Sequence, residues 1–166
     1  MNTIKKIFGG AILFLLALGL VAIPQPASSN AQPATRTMSA EQSGSDEAVP
    51  AFHSQAPKDS LPATMDPQPF TSPVVVNAYT VAARVKKVLY QQPCYCHCDQ
   101  SQGHGSLLDC FVSKHGSGCN ICMSEDFYSY EQTRKGKTPA QIREGIEKGE
   151  WRNVDMSKYT TPLPLK

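Results

Sequence analysis

The chain has 166 residues, of which 16 are basic and 14 acidic, so its formal net charge is +2. The basic residues form no block, and the two positive charges in excess come from Lys5 and Lys6 near the N-terminus. The chain therefore lacks the basic surface typical of a nucleic-acid-binding protein. Six cysteines in so short a chain point instead to thiol chemistry.

The N-terminus has the pattern of a secretory signal peptide. Lys5 and Lys6 precede an uncharged apolar run over residues 7–23, and small residues follow up to Ala31, after which we expect cleavage. Residues 1–31 are therefore predicted to be a signal peptide that directs the chain out of the cytoplasm, to the periplasm or the medium. The run is at the short edge of the roughly 17 to 25 residues that span a bilayer, so an uncleaved membrane anchor is the alternative.

Residues 32–72 have the composition of a linker. Six prolines stand among Ser, Thr, Gln and Ala, and the apolar residues are isolated and without period. Such a segment buries too little apolar surface to offset the entropy lost on ordering, so we predict a disordered tether in which His53 has no role. Residues 73–166 then form one Cys-rich helical domain, small enough to need a metal or disulfide staple.

Two helices are predicted in the first half of this domain. Pro73 suits the first helical position, and apolar residues recur every three or four places, which predicts a helix over residues 73–90. Pro93 ends it, because the residue before proline is disfavoured in the α region. Ser106 has the position of an N-cap for a short second helix over residues 107–115.

A third helix is predicted immediately after the last cysteine. Ser124 is the expected N-cap, Glu125 and Asp126 occupy the first turn, and the helix ends near Lys135. The preceding Cys-x-x-Cys pair therefore lies at a helix N-terminus.

The fourth predicted helix begins with a capping box formed by Thr138 and Gln141 and ends at Gly149. Trp151 is expected to cover its apolar face, and the chain beyond Asn153 is expected to be irregular. The sequence thus predicts a mostly α fold, a small bundle of about four helices with a Cys-rich loop.

The spacing of the cysteines favours a soft-metal site. Alternate residues of an extended chain point to the same side, so Cys94, Cys96 and Cys98 would present three sulfur atoms in a row. A Cys-x-x-Cys pair adds two ligands from a tight turn, and thiolates select copper(I) and zinc over harder ions. The candidate sulfur ligands are Cys94, Cys96, Cys98, Cys110, Cys119 and Cys122.

Two histidines are added to the candidate metal ligands. His97 lies between two cysteines, and His104 stands between two glycines that leave it free to turn inward. Solvent exposure is the competing interpretation of His97. We expect His115 to complement a helix dipole and Met123 to pack in the core.

Two other uses of six thiols stay open at this point. An even number of cysteines in an exported chain is typical of structural disulfides, here with 15 pairings, in a domain that would act as an adaptor. The second alternative is a thiol–disulfide oxidoreductase, with Cys119 as the attacking thiolate and Cys122 as its resolving partner.

Haem attachment is excluded because Met123 rather than histidine follows Cys122. No local hydrolase or phosphate-loop motif is present, so we predict a binding protein rather than an enzyme.

The run Pro93-Cys94-Tyr95-Cys96-His97-Cys98, with Cys110, His115-Gly116 and Cys119-Asn120-Ile121-Cys122-Met123 after it, resembles the bacterial PCYCGC motif-containing proteins or lipoproteins. The resemblance covers roughly residues 73–152 and implies an exported, metal-binding protein. Two features depart from the family pattern. His97 replaces the motif glycine, which adds a candidate ligand, and the leader has no lipobox cysteine, which argues against lipidation.

We therefore expect an exported protein that holds copper(I) or zinc for storage, delivery or detoxification. Its expected partners are metal ions and a metal-handling membrane or periplasmic protein.

Overall fold

The structure, a computed structural model, describes residues 48–163. The predicted signal peptide over residues 1–31 lies outside this range, as do residues 32–47 of the predicted tether. The described part of the chain is helical and contains no strand, which confirms the mostly α prediction. Its α-helices are α1 (Pro73–Leu89), α2 (Cys98–Gln102), α3 (Asp109–Val112), α4 (Asn120–Arg134) and α5 (Pro139–Glu147). Short 3₁₀ helices cover His115–Gly118, Glu150–Asn153 and Met156–Tyr159.

The two longest helices, α1 and α4, pack against each other and form the frame of the domain. α1 begins at Pro73 as predicted, because proline is preorganised for the first helical position. It ends at Leu89, one residue before the predicted end. The buried Tyr79 on α1 holds the ring of Phe111 edge-on, with centroids 5.2 Å apart. This contact fixes α3, and with it the neighbouring Cys110, against the frame.

α4 begins earlier than the sequence predicts. Cys119 is its N-cap and Asn120 its first residue, so the prediction that Ser124 caps this helix is wrong. Because the Cys-x-x-Cys segment already forms the first turn, Glu125 and Asp126 lie in the second turn, and both are fully buried. Neither side chain therefore lies in the first turn, where we had placed both.

The region between α1 and α4 contains two short helices instead of one. α2 was not predicted, and α3 spans four residues rather than 107–115. It ends at Val112 because the backbone at Ser113 is extended, and a separate 3₁₀ turn covers His115–Gly118. The Asp109 carboxylate accepts hydrogen bonds from the backbone N–H groups of Gly105 and Ser106, at 2.7 and 3.2 Å. The Ser106 hydroxyl has no hydrogen-bond partner within residues 48–163. Leu108 is the N-cap of α3, so the prediction that Ser106 caps this helix is wrong.

α5 agrees with the prediction. Thr138 and Gln141 form the reciprocal hydrogen bonds of a capping box at its N-terminus. The buried face of α5 packs with Tyr128 of α4 and with Trp151, which covers it as expected. These apolar contacts join α5 to the frame.

The chain beyond α5 is more ordered than we expected. The Tyr159 ring stacks on Phe127 with centroids 3.6 Å apart. The Asn77 side-chain amide donates to the carbonyls of Tyr159 and Thr161, both at 2.7 Å, and its oxygen accepts from Leu163 N–H at 3.0 Å. These bonds satisfy a buried amide and fasten the end of the described chain to α1.

The segment before α1 has no helix or strand between residues 48 and 72, but part of it packs on the domain. Met65 N–H donates to the Phe111 carbonyl at 2.8 Å, and the His53 ring stacks on Tyr90 with centroids 3.9 Å apart. The packed part of the described chain therefore begins before residue 73, earlier than the expected domain boundary. None of the helices within residues 48–163 is long and apolar enough to cross a membrane.

The close contact between α4 and α5 predicts a specific cost for an added methyl group. A Cβ at Gly145 would overlap the Tyr128 hydroxyl and lie 2.9 Å from Glu150 Oε2, whereas a Cβ at Gly118 meets nothing within 4 Å. We expect Gly145→Ala to lower the free energy of unfolding by about 1–3 kcal/mol through overpacking, and Gly118→Ala to cause no loss. Urea unfolding followed by the fluorescence of the single tryptophan, Trp151, measures both; equal midpoints for the two variants would contradict the packing described.

Candidate metal centre

The first three candidate ligands lie on a turn that leads into a helix, not on an extended strand. His97 N–H donates to the Cys94 carbonyl at 3.0 Å, His97 has a left-handed φ of 55°, and α2 begins at Cys98. The expected cause of convergence, alternation along an extended chain, is therefore wrong. The turn still gathers the sulfur atoms, since those of Cys94, Cys96 and Cys98 lie within 4.8 Å of one another.

Three sulfur atoms form a triangle where this turn meets α4. Cys94 Sγ lies 3.4 Å from Cys96 Sγ and 3.5 Å from Cys122 Sγ, and Cys96 Sγ lies 3.5 Å from Cys122 Sγ. Cys94 and Cys122 are buried, whereas Cys96 is partly exposed. The corner of the triangle at Cys96 is therefore the one nearest the surface.

A second group next to the triangle combines sulfur with nitrogen. Cys98 Sγ lies 3.3 Å from Cys110 Sγ, and His104 Nδ1 lies 3.2 Å from the first sulfur and 3.4 Å from the second. A ring nitrogen of His115 lies within 4.8 Å of all three donor atoms. Cys110 Sγ is also 3.8 Å from Cys94 Sγ, so the two groups are continuous. Together they form the Cys/His cluster: Cys94, Cys96, Cys98, Cys110, Cys122, His104 and His115.

The thiols of the cluster divide into proton donors and proton acceptors. Hydrogen bonding from the Cys110 thiol is the main cause that lowers the pKa of Cys98 and of Cys122. The pKa of Cys94 is raised, chiefly by its hydrogen bond with Cys110, and that of Cys110 is raised chiefly by Cys122. A neighbouring S–H group stabilises a thiolate. The thiolate form that metals require is thus favoured at part of the cluster.

Cys119 does not join the cluster. It caps α4, is partly exposed, and belongs to none of the groups of converging donor atoms. Burial is the main cause that raises the pKa of Cys119, so the thiolate form of this residue is disfavoured. This finding argues against Cys119 as an attacking thiolate.

A buried carboxylate holds the cysteine turn against α4. Glu125 Oε1 accepts a hydrogen bond from Tyr95 N–H at 2.9 Å, and burial is the main cause that raises the pKa of Glu125 well above its usual range. Tyr95 lies between Cys94 and Cys96, so this bond positions two of the three corners of the sulfur triangle. We did not predict this role, because we placed Glu125 in the first turn of the third helix.

The structure brings together most of the predicted ligands and adds one. His104 reaches the cluster, but His97 points elsewhere: its Nδ1 lies 4.0 Å from Asp99 Oδ1 and 3.5 Å from Gln100 Nε2. His115, which we expected to act on a helix dipole, was missed. The signal available in the sequence was its place five residues after Cys110, which puts it at the start of the 3₁₀ turn that follows α3.

The comparisons with known proteins agree with the motif. A family described as proteins of unknown function with a PCYCGC motif matches residues 12–164, so the chain belongs to this family. No curated protein and no solved structure shows significant similarity to it.

The left-handed backbone at His97 explains why the family motif has glycine there. An L-residue in this conformation is disfavoured by roughly 1–2 kcal/mol, and glycine is not. We expect His97→Gly to raise the free energy of unfolding by about 1 kcal/mol, measured by urea unfolding, with bound metal per chain unchanged. His97→Ala is the matched control, since it removes the imidazole and keeps the strain, and should give no such gain. A loss of bound metal in both variants would show that His97 is a ligand.

Proposed function

We propose that this member of the PCYCGC-motif family is an exported protein that binds a soft metal ion, copper(I) or zinc, through the Cys/His cluster. The convergence of five sulfur atoms and two imidazoles is the observation that carries the proposal. Thiolate and imidazole are the ligands that copper(I) and zinc prefer among protein groups. The role would be storage, delivery or detoxification of the metal, a binding function rather than catalysis.

The spacing of the sulfur atoms supports a shared cation over structural disulfides. All six cysteines are free, and the sulfur pairs of the cluster lie 3.3–3.8 Å apart, against about 2.05 Å in a disulfide. Two thiolates at about 2.3 Å from one tetrahedral ion stand roughly 3.8 Å apart, close to these values.

We propose a compartment outside the cytoplasm on the basis of the N-terminal leader pattern. The leader-like residues 1–31 favour export, with cleavage after Ala31 or retention as an anchor. A metal-handling membrane or periplasmic protein is the partner that we propose. The partly exposed Cys96 would be the first sulfur that such a partner meets.

Metal content and thiol state test the proposal directly. We expect the full-length chain, purified without oxygen, to have a native mass that includes copper or zinc, and to titrate as six free thiols after the metal is removed under denaturing conditions. A native mass lower by six protons, with no metal, would contradict the proposal and favour a disulfide-stapled adaptor.

Two neighbouring cysteines provide a matched pair of variants. Cys122→Ser removes a sulfur from the triangle, whereas Cys119→Ser removes one from outside the cluster. We expect Cys122→Ser to weaken copper(I) affinity at least about tenfold, in competition with a coloured copper(I) chelator, and Cys119→Ser to leave it unchanged. Equal losses in the two variants would contradict the ligand set, and insulin reduction that disappears in Cys119→Ser would favour the oxidoreductase.

A further inference from the structure

The seven donors of the Cys/His cluster divide by kind into two sets that use each donor once. The mixed set has two sulfur and two nitrogen atoms, and the other set, the sulfur triangle, has sulfur alone. We infer that the cluster is two adjacent metal centres, a zinc centre of Cys98, His104, Cys110 and His115 and a copper(I) centre of Cys94, Cys96 and Cys122. This inference rests on the proposed function and specifies which ion each part of the cluster takes.

The mixed set has the composition and compactness of a tetrahedral zinc site. Its four donor atoms lie within 4.8 Å of one another, and His104 Nδ1 is 3.2 and 3.4 Å from the two sulfur atoms. Two thiolates with two imidazoles are an established structural zinc ligand set. In addition, His115 Nε2 is buried and has no hydrogen-bond partner within the described residues. A buried ring nitrogen without a partner is costly, and a metal ion would satisfy it.

The chain position of the mixed set indicates a structural role for the zinc. Its residues fall within 98–115, a segment whose helices α2 and α3 have five and four residues. Helices this short are not stable through their own hydrogen bonds. An ion bound at four points of the segment would hold it folded, as zinc does in small domains with little core.

The sulfur triangle suits copper(I) instead. Its sides of 3.4, 3.5 and 3.5 Å place three thiolates around one point with no nitrogen among them. Soft thiolates alone select copper(I), which accepts three ligands, whereas a structural zinc site is almost always four-coordinate.

His115 is the donor that both centres can reach. It also lies within 4.8 Å of Cys96 and Cys122. We place it with zinc because the mixed set otherwise has three protein ligands, while the triangle is already complete for copper(I). Its substitution is therefore the most informative test of the division.

The experiment uses the reduced full-length chain, titrated with zinc and with copper(I), alone and together, with ion counts from native mass spectrometry. We expect one zinc and one copper(I) per chain, bound at the same time. His104→Ala and His115→Ala should lose at least about tenfold in zinc affinity and keep copper(I) binding, and Cys96→Ser should do the reverse. His104→Cys, which restores a fourth ligand, should recover zinc binding if His104→Ala does not fold.

The outcomes separate the two-centre inference from the proposed function. If the wild-type chain binds one ion at most, if each variant weakens both ions equally, or if His115→Ala weakens copper(I) alone, the division into two centres is wrong and the proposed function stands. If the chain binds neither ion, the proposed function fails and the division fails with it. Cobalt(II) in place of zinc gives an independent readout, since its absorption spectrum should be that of a tetrahedral site and should change in His104→Cys.

Discussion

The crowding of five sulfur atoms is the constraint on which the rest of this structure depends. Two thiolates about 4 Å apart repel by roughly 4 kcal/mol at an effective dielectric constant of 20, and the observed spacings are shorter. The cluster is therefore stable only with protons shared among its thiols or with a cation between them. The pKa of Cys98 is lowered and that of Cys110 is raised, as expected when a thiol donates its proton to a neighbouring thiolate. A soft metal ion would also offset the repulsion between the thiolates.

The packing of α1 against α4 holds the sulfur atoms together against their mutual repulsion. Cys94 follows α1 and Cys122 lies in the first turn of α4, so the contact between these helices sets the distance between the two sulfur atoms. Glu125 then fixes the intervening turn through Tyr95 N–H. The arrangement uses a conventional apolar core to hold a polar, reactive centre at one end.

Sequence reasoning recovered what depends on local chemistry. The cap at Thr138 and the proline at residue 73 fixed two helices, because these signals act within one turn of backbone. It failed where the outcome depends on distant contacts: the start of α4 at Asn120, the burial of Glu125, and the approach of His115 all follow from packing between segments. The cysteine spacing identified the cluster, but the left-handed turn at His97 replaced the extended strand that we expected.

The hydrogen bonds that Asn77 makes with Tyr159, Thr161 and Leu163 link the beginning of the fold to its end. A contact across more than 80 residues cannot form until nearly the whole polypeptide has been delivered. If the chain is exported as we propose, these bonds form only after residues 159–163 have crossed the membrane. The attachment of the end of the described chain to α1 would then be among the last steps of folding.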